Sequence, residues 1–238
     1  MNIALLGYGK MGKAIEEIAL QRGHKIVLRI TDQNIEELTK ENIKKADVAI
    51  EFTNPQSAVS NILFCLNQNV PVISGTTGWL PQLKTVEGKC NEKKGAFLYA
   101  SNFSVGVNIF FELNKKLALL MKPHTNYEIS LEETHHTQKK DAPSGTAITL
   151  AGEIIKTSTK KNKWVNNITE NENELSIISK RIDEVAGTHS VKYTSEIDDI
   201  EIIHTANNRK GFAQGAVLAA EFIAGKKGFF SMKDVLNL

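Results

Sequence analysis

Short apolar runs alternate with amphipathic stretches through the first hundred positions. Residues 3–6, 25–30, 48–52, 70–74 and 96–100 are rich in Val, Ile, Leu and Ala, and helical patterns lie between them at 10–22, 35–45, 55–68 and 80–94. Strands alternating with helices at this interval predict right-handed βαβ units and a parallel sheet. Residues 1 to about 103 therefore read as a doubly wound, Rossmann-type α/β domain. The rhythm then changes. A helix is predicted over about 107–121, a strand over 127–131, a polar loop, and a second helix over about 145–156. The runs 175–181, 190–194 and 200–205 follow without intervening helices, which predicts an α+β domain with a mixed or antiparallel sheet. Residues 158–174 read as a surface loop, and a final helix is predicted over 211–224.

Composition narrows the class. At roughly 150 residues per domain, 238 residues make one large domain or two small ones. The chain is 41% apolar and 24% charged, which excludes a disordered or fibrous protein. The formal net charge is +2 with both signs interspersed, so no one-sided basic field exists for nucleic acid. No apolar run reaches the roughly 18 residues that span a bilayer, and the N-terminus lacks the basic region of a signal peptide. A soluble, cytoplasmic protein without nucleic-acid or membrane partners is expected. Cys65 and Cys90 lie in no CxxC or zinc-type spacing and read as free thiols.

The first strand runs into Gly7-Tyr8-Gly9-Lys10-Met11-Gly12, a G-x-G-x-x-G loop that opens a helix. Gly7 suits a tight turn, Gly9 lets the backbone approach a pyrophosphate, and Gly12 lets helix and strand pack closely. The helix N-terminus then holds the phosphates. The motif alone is weak evidence, but it stands between a strand and a helix, and Asp32 follows twenty residues after Gly12 where the second strand ends. An acid there binds ribose hydroxyls and repels a 2′-phosphate. Gln33 offers no compensating cation, which tilts the choice to NADH, while Arg29 and Lys25 leave room for NADPH. The loops Gly75-Thr76-Thr77-Gly78 and Ala100-Ser101-Asn102-Phe103 follow strands on the same carboxyl edge, as a cofactor crevice requires.

The densest chemistry lies between Glu132 and Ala147. Ser144 occupies an N-cap position, and Gly145 and Thr146 follow in the first helical turn, where unpaired N–H groups make an anion site. His135 can act as acid or base near neutral pH. His136 and Lys139 add hydrogen-bonding or cationic groups, and the set suits a small di-acid that is protonated as it reacts. Glu132 with His135 or His136 would be a poor metal site, because no i, i+4 histidine pair or third anchor accompanies them, so no metal is expected.

These residues resemble the dihydrodipicolinate reductase family, the NAD(P)H-dependent enzymes of the diaminopimelate route to lysine. The resemblance covers essentially the whole chain. It is carried by the glycine loop, Gly75 to Gly78, Asn102-Phe103-Ser104-Val105-Gly106-Val107-Asn108, and above all His135-His136-x-x-Lys139-x-Asp141-x-Pro143-Ser144-Gly145-Thr146-Ala147. His204-Thr205-Ala206-Asn207-Asn208-Arg209 and Phe212 to Ala216 extend it. The resemblance implies an acid/base role for His135, proton donation by Lys139, and substrate contacts by His136 and Arg209. It implies a substrate-carboxylate site at Gly145 and Thr146, beside Ser144, and a dinucleotide site at Gly7 to Gly12, Asp32, Gly75 to Thr77 and Ala100 to Phe103. It also implies a nucleotide domain of residues 1–103 and 210–238, and a substrate-binding and oligomerisation domain of 104–209. A hinge joins the two, and the assembly is a homotetramer. The chain departs from many members in its short connection before residue 48, in Gln33, and in Gln138.

Two rival readings remain: a same-fold dehydrogenase for another small acid, and a dinucleotide-sensing protein without turnover. The second explains the glycine loop but gives His135, Lys139 and the Ser144 cap no reason to sit together.

Overall fold

Strand β1 (Asn2–Leu6) is apolar along almost its whole length because it lies inside a sheet that helices cover on both faces. The computed structural model describes residues 1–208 and 210–238 and divides the chain into two units, Met1–Val105 with Lys210–Leu238, and Gly106–Arg209.

The first unit is built on six strands: β1, β2 (Lys25–Ile30), β3 (Val48–Glu51), β4 (Val72–Ser74), β5 (Ala96–Tyr99) and β11 (Gly228–Phe230). They lie in the order β11-β5-β4-β3-β1-β2, and every pairing is parallel. Helices α1 (Lys10–Gln21) and α7 (Lys210–Ile223) pack on one face, where Ile15, Ala19, Ala216, Val217 and Ala220 meet Ile3, Leu5 and Ile50. Helices α3 (Pro55–Asn67) and α4 (Leu83–Lys93) cover the other with Ala58, Ile62, Leu66 and Val86. The helix expected over 35–45 is broken into a 3-10 turn (Ile35–Glu37) and the single turn α2 (Lys40–Ile43). Only Ile43 of these two elements is buried, too little apolar face to hold a longer helix. Strand β11 and helix α8 (Met232–Leu236) lie outside the sequence reading. A three-residue strand and a five-residue helix carry almost no periodicity. Cys65 and Cys90 are unpaired and buried.

The second unit holds β6 (Glu128–His135), β7 (Lys163–Val165), β8 (Glu174–Arg181), β9 (Gly187–Thr194) and β10 (Asp199–Ala206), with α5 (Val105–Met121) and α6 (Gly145–Thr157). The sheet is mixed, in the order β10-β9-β6-β8-β7: β9 is antiparallel to both β10 and β6, whereas β8 is parallel to β6 and β7. Phe110 and Ala118 of α5 and Ala147, Leu150, Ala151 and Ile154 of α6 cover one face, against Leu131, Leu175, Ile177, Val191 and Tyr193. Two expectations need correction here. The strand read as 127–131 continues to His135, because ladder bonds to β8 and β9 hold the polar residues that the pattern assigned to a loop. The segment 158–174, read as a loop, contains β7, an edge strand kept by pairing with β8.

Among the described residues, no helix is long and apolar enough to cross a membrane. Of the glycines in the first unit, Gly215 of α7 leaves the least room, since a Cβ there would stand 1.7 Å from the Phe103 carbonyl oxygen. Gly215→Ala should force helix and loop apart and destabilise the protein by about 1–3 kcal/mol, the scale of an overpacked core. A chemical-denaturation midpoint equal to that of the parent would show that the contact yields freely.

Candidate active site

In the first unit the sheet order reverses between β1 and β3, and a cleft of about 600 Å³ opens at their carboxyl ends. Gly7, Tyr8, Gly9 and Asp32 line it. The three glycines separate by role. Gly7 has φ +96°, and a Cβ there would lie 2.0 Å from the Phe52 carbonyl oxygen. A Cβ on Gly12 would meet the Gly7 carbonyl at 2.3 Å, whereas one on Gly9 would meet nothing within 4 Å. Gly7 and Gly12 thus serve packing, and Gly9, the N-cap of α1, leaves open space where phosphates would sit. Lys10 is exposed beside it, while Met11 packs on the sheet.

Strand β2 ends at Ile30, so Asp32 stands in the following turn rather than on the strand. Arg29 forms an ion pair with Glu16 and lies 5.8 Å from the Tyr8 ring centre; Tyr8 itself donates to Glu16. Thr53 and Asn54, after β3, also line the cleft and were missed by sequence reasoning, although the switch point beside β1 marks them.

Behind this cleft lies Glu51, fully buried at the end of β3. It accepts from the Thr53 amide (2.9 Å), Ser74 Oγ (2.5 Å) and Thr76 Oγ1 (2.8 Å), and from the Thr53 hydroxyl. Thr76, expected in the cofactor site, is buried and committed to this network, while Thr77 is exposed. A Cβ on Gly75 would enter the Phe52 ring at 2.3 Å. Ala100 and Phe103 belong to the core, Asn102 Oδ1 accepts from the Ser104 amide, and Ser101 is exposed. Gly75 to Thr77 and Ala100 to Phe103 do not line the cleft.

In the second unit one sheet face changes character along its length. Leu131, Glu133 and His135 alternate inward on β6, so the face that is apolar at Leu131 becomes ionisable two and four residues later. Register brings His189 of β9 opposite Glu133, and Arg181 of β8 beside His135. Glu132 points to the opposite face and pairs with Lys180 at 2.7 Å, so it cannot share a ligand with His135. Gly187 leaves the room His135 needs, since a Cβ there would lie 3.0 Å from Nε2.

Glu133 is wholly buried, with its Oε1 accepting from the Ser144 amide and Arg181 Nη2, both at 3.1 Å. Its Oε2 lies 3.1 Å from His135 Nδ1 and 3.7 Å from His189 Nε2, close but without hydrogen-bond alignment. Burial pushes this carboxyl up, but the His135 ring beside it and the bonds from the Ser144 amide and Arg181 together hold it well below the usual carboxylate range. Burial, helped by charge on His135, pushes His189 down to about 4. Glu133, His135 and His189 together have the composition of a metal site, but Arg181 already supplies the cation that balances the carboxylate.

Ser144 caps α6 through its hydroxyl, which accepts from the Ala147 amide at 3.2 Å and contacts His189 Nε2 at 3.0 Å. It is buried and bonded within the protein, whereas Gly145 is exposed, with nothing within 4 Å of where a Cβ would stand, and Thr146 is half-buried. Lys139 Nζ donates to both carboxylate oxygens of Asp141 at 2.8 Å. Burial pushes Asp141 up, and the bond and charge of Lys139 together with a backbone hydrogen bond more than offset it, leaving Asp141 below its ordinary value. His136 is half-buried beside them. The structure thus brings His135, His136, Lys139 and the α6 N-terminus into one region and adds Glu133, Asp141, Arg181 and His189. Arg209 lies outside the described residues.

Comparison with known proteins points one way. Residues 1–103 match the family model for the dihydrodipicolinate reductase N-terminus, and residues 106–236 match that for its C-terminus. A protein of Christiangramia forsetii named 4-hydroxy-tetrahydrodipicolinate reductase is 51% identical over 237 residues, covering 100% of this chain and 98% of the relative. One of the same name from Methanosarcina barkeri is 36% identical over the full length of both. The solved dipicolinate-bound dihydrodipicolinate reductase of Paenisporosarcina sp. TG-14 superposes with a TM-score of 0.77 at 23% identity, over 97% of each chain.

A histidine kept neutral by burial makes folding pH-dependent. Between pH 6.5 and about 4 the unfolded chain binds a proton at His189 that the folded one does not, so stability should fall as pH is lowered across this window. NMR titration should find its imidazole neutral at pH 5.5; a protonated His189 at that pH would contradict the burial argument.

Proposed function

The chain belongs to the dihydrodipicolinate reductase family, and we propose on that premise that it reduces 4-hydroxy-tetrahydrodipicolinate to tetrahydrodipicolinate, with loss of water, in the diaminopimelate route to lysine. The observation that carries this reading is the convergence of His135, Lys139 and the open α6 N-terminus at one end of a sheet face, in the second unit of a dinucleotide-binding fold. A nicotinamide dinucleotide supplies the hydride. Gly9, the α1 N-terminus and Asp32 would hold it, and the open space at Gly9 fits its phosphates.

The remaining chemistry belongs to the second unit. The Gly145 and Thr146 backbone receives one substrate carboxylate, and His136 and Arg209 supply further contacts. Such donors act on the di-acid without reorganising as charge develops. Lys139 holds a proton at Nζ, and its ion pair with Asp141 directs the ammonium. That proton, or one from His135, is delivered as the hydride arrives and the 4-hydroxyl leaves as water.

We assign NADH as the preferred cofactor. Asp32 disfavours a 2′-phosphate, and Arg29, the nearby cation that would welcome one, is engaged by Glu16. We also assign a homotetramer. Ile203 is exposed on the sheet face opposite α5 and α6, on β10, an edge strand with no further strand paired to its outer side among the described residues, and a second copy would cover it.

The test follows reduced-nicotinamide absorbance with enzymatically generated substrate, using NADH and NADPH separately. Oxidation should be faster with NADH, and Lys139→Ala should lose about 10²–10⁴-fold in kcat while binding NADH as the parent does. If neither cofactor is oxidised although both bind, the assigned reaction is wrong and a different acid or a sensing role moves ahead. Light scattering that reports a monomer would remove the tetramer.

A further inference from the structure

We infer that Arg181, anchored on Glu133, is a positioning residue that sets the loop carrying Lys139, an inference that rests on the reaction assigned above. No motif reading singles it out, since it lies more than forty residues beyond the His-His-Lys block.

Arg181 is the last residue of β8, in register with His135 and on the same face. The ladder continues past it, with the Ile182 amide donating to the His135 carbonyl at 2.8 Å. Its guanidinium reaches in several directions at once. Nη2 donates to Glu133 Oε1 at 3.1 Å and to the Asp141 carbonyl at 2.6 Å, and Nε donates to the Lys139 carbonyl at 3.4 Å. Nη1 completes the set on the Lys180 carbonyl at 2.8 Å.

The two loop carbonyls it holds belong to the residues whose side chains pair, Lys139 and Asp141. Fixing both backbones fixes the origin of the ammonium and of the carboxylate that directs it. Among the described residues, other bonds to the segment run from the Lys139 amide to the His136 carbonyl at 3.1 Å and from the Thr137 hydroxyl to Asp183. Thr137, Gln138, Lys140, Asp141 and Ala142 are exposed, so apolar burial does little to order them. Glu133 gives the guanidinium a fixed place, because a buried carboxylate demands a cation at that position. The planar fork reaches the carboxylate and the two carbonyls from separate nitrogens, Nε and Nη2, whereas a lysine carries its three donors on a single nitrogen and does not span that spread.

Arg181→Lys separates the two duties, since it keeps a charge near Glu133 and loses the fork. On the full-length protein, amide hydrogen exchange across residues 137–142 should accelerate at least about tenfold while β6 and β8 stay protected. In the same variant kcat should fall about 10–100-fold, the scale of an ångström-sized misplacement, with KM for NADH within about twofold of the parent. If the lysine variant does not fold, the double variant Glu133→Gln with Arg181→Met, which removes the fork without leaving a buried charge unpaired, serves in its place. Loop exchange equal to the parent's overturns the proposal whatever the rate. So does a loosened loop with kcat within about threefold of the parent, since turnover would then not need the order Arg181 imposes. A parent that oxidises neither cofactor sinks the assigned reaction instead, and loop exchange alone then decides the role of Arg181.

Discussion

An ionised carboxylate sealed inside a sheet-and-helix sandwich has to be surrounded by donors, and in this protein Glu133 imposes that condition on the whole second unit. Left unpaired it would cost several kcal/mol. The Ser144 amide, the Arg181 guanidinium and the His135 and His189 imidazoles are its neighbours. Each belongs to a different part of the site: the N-terminus of α6, the last residue of β8, and two histidines on adjacent strands. One buried charge therefore links the places to which the proposed reaction assigns acid/base chemistry and carboxylate binding, and the geometry of each follows from the need to satisfy it.

The first unit uses the same device. Glu51 ends β3 as Glu133 nears the end of β6, and both lie where a strand passes from core to loop. Hydroxyls of Thr53, Ser74 and Thr76 converge on Glu51 and tie together the loops after β3 and β4. The two carboxylates differ in what answers them. Hydroxyls and an amide satisfy Glu51, which suits a rigid scaffold beneath a cofactor cleft. Glu133 is met by a guanidinium and two titratable rings, which suits a site that moves protons.

Much of this was legible in the chain. The alternation of apolar runs in the first hundred residues predicts the parallel strands because each is covered on both faces and must be apolar throughout. The G-x-G-x-x-G loop was readable because Gly7 and Gly12 admit no side chain, and the His-His-Lys block was readable because catalytic types cluster there in sequence. The misreadings share one cause. Polar residues at 132–135 look like loop, yet ladder bonds to β8 and β9 hold them as strand. Strand β7 exists only by pairing with β8, and the helix expected over 35–45 breaks because its side chains find little to bury against.

The sequence by itself determined the class of each half, the place of the glycine loop and the cluster to which the proposed chemistry is assigned, because these depend on local periodicity and on residue types close together in the chain. Only the tertiary structure decided which groups stand behind them. Glu133, Arg181 and His189 are separated by up to 56 residues and become neighbours through β-sheet register alone. Register is a long-range property: a shift of one residue in β8 would turn Arg181 to the opposite face and leave Glu133 without its cation.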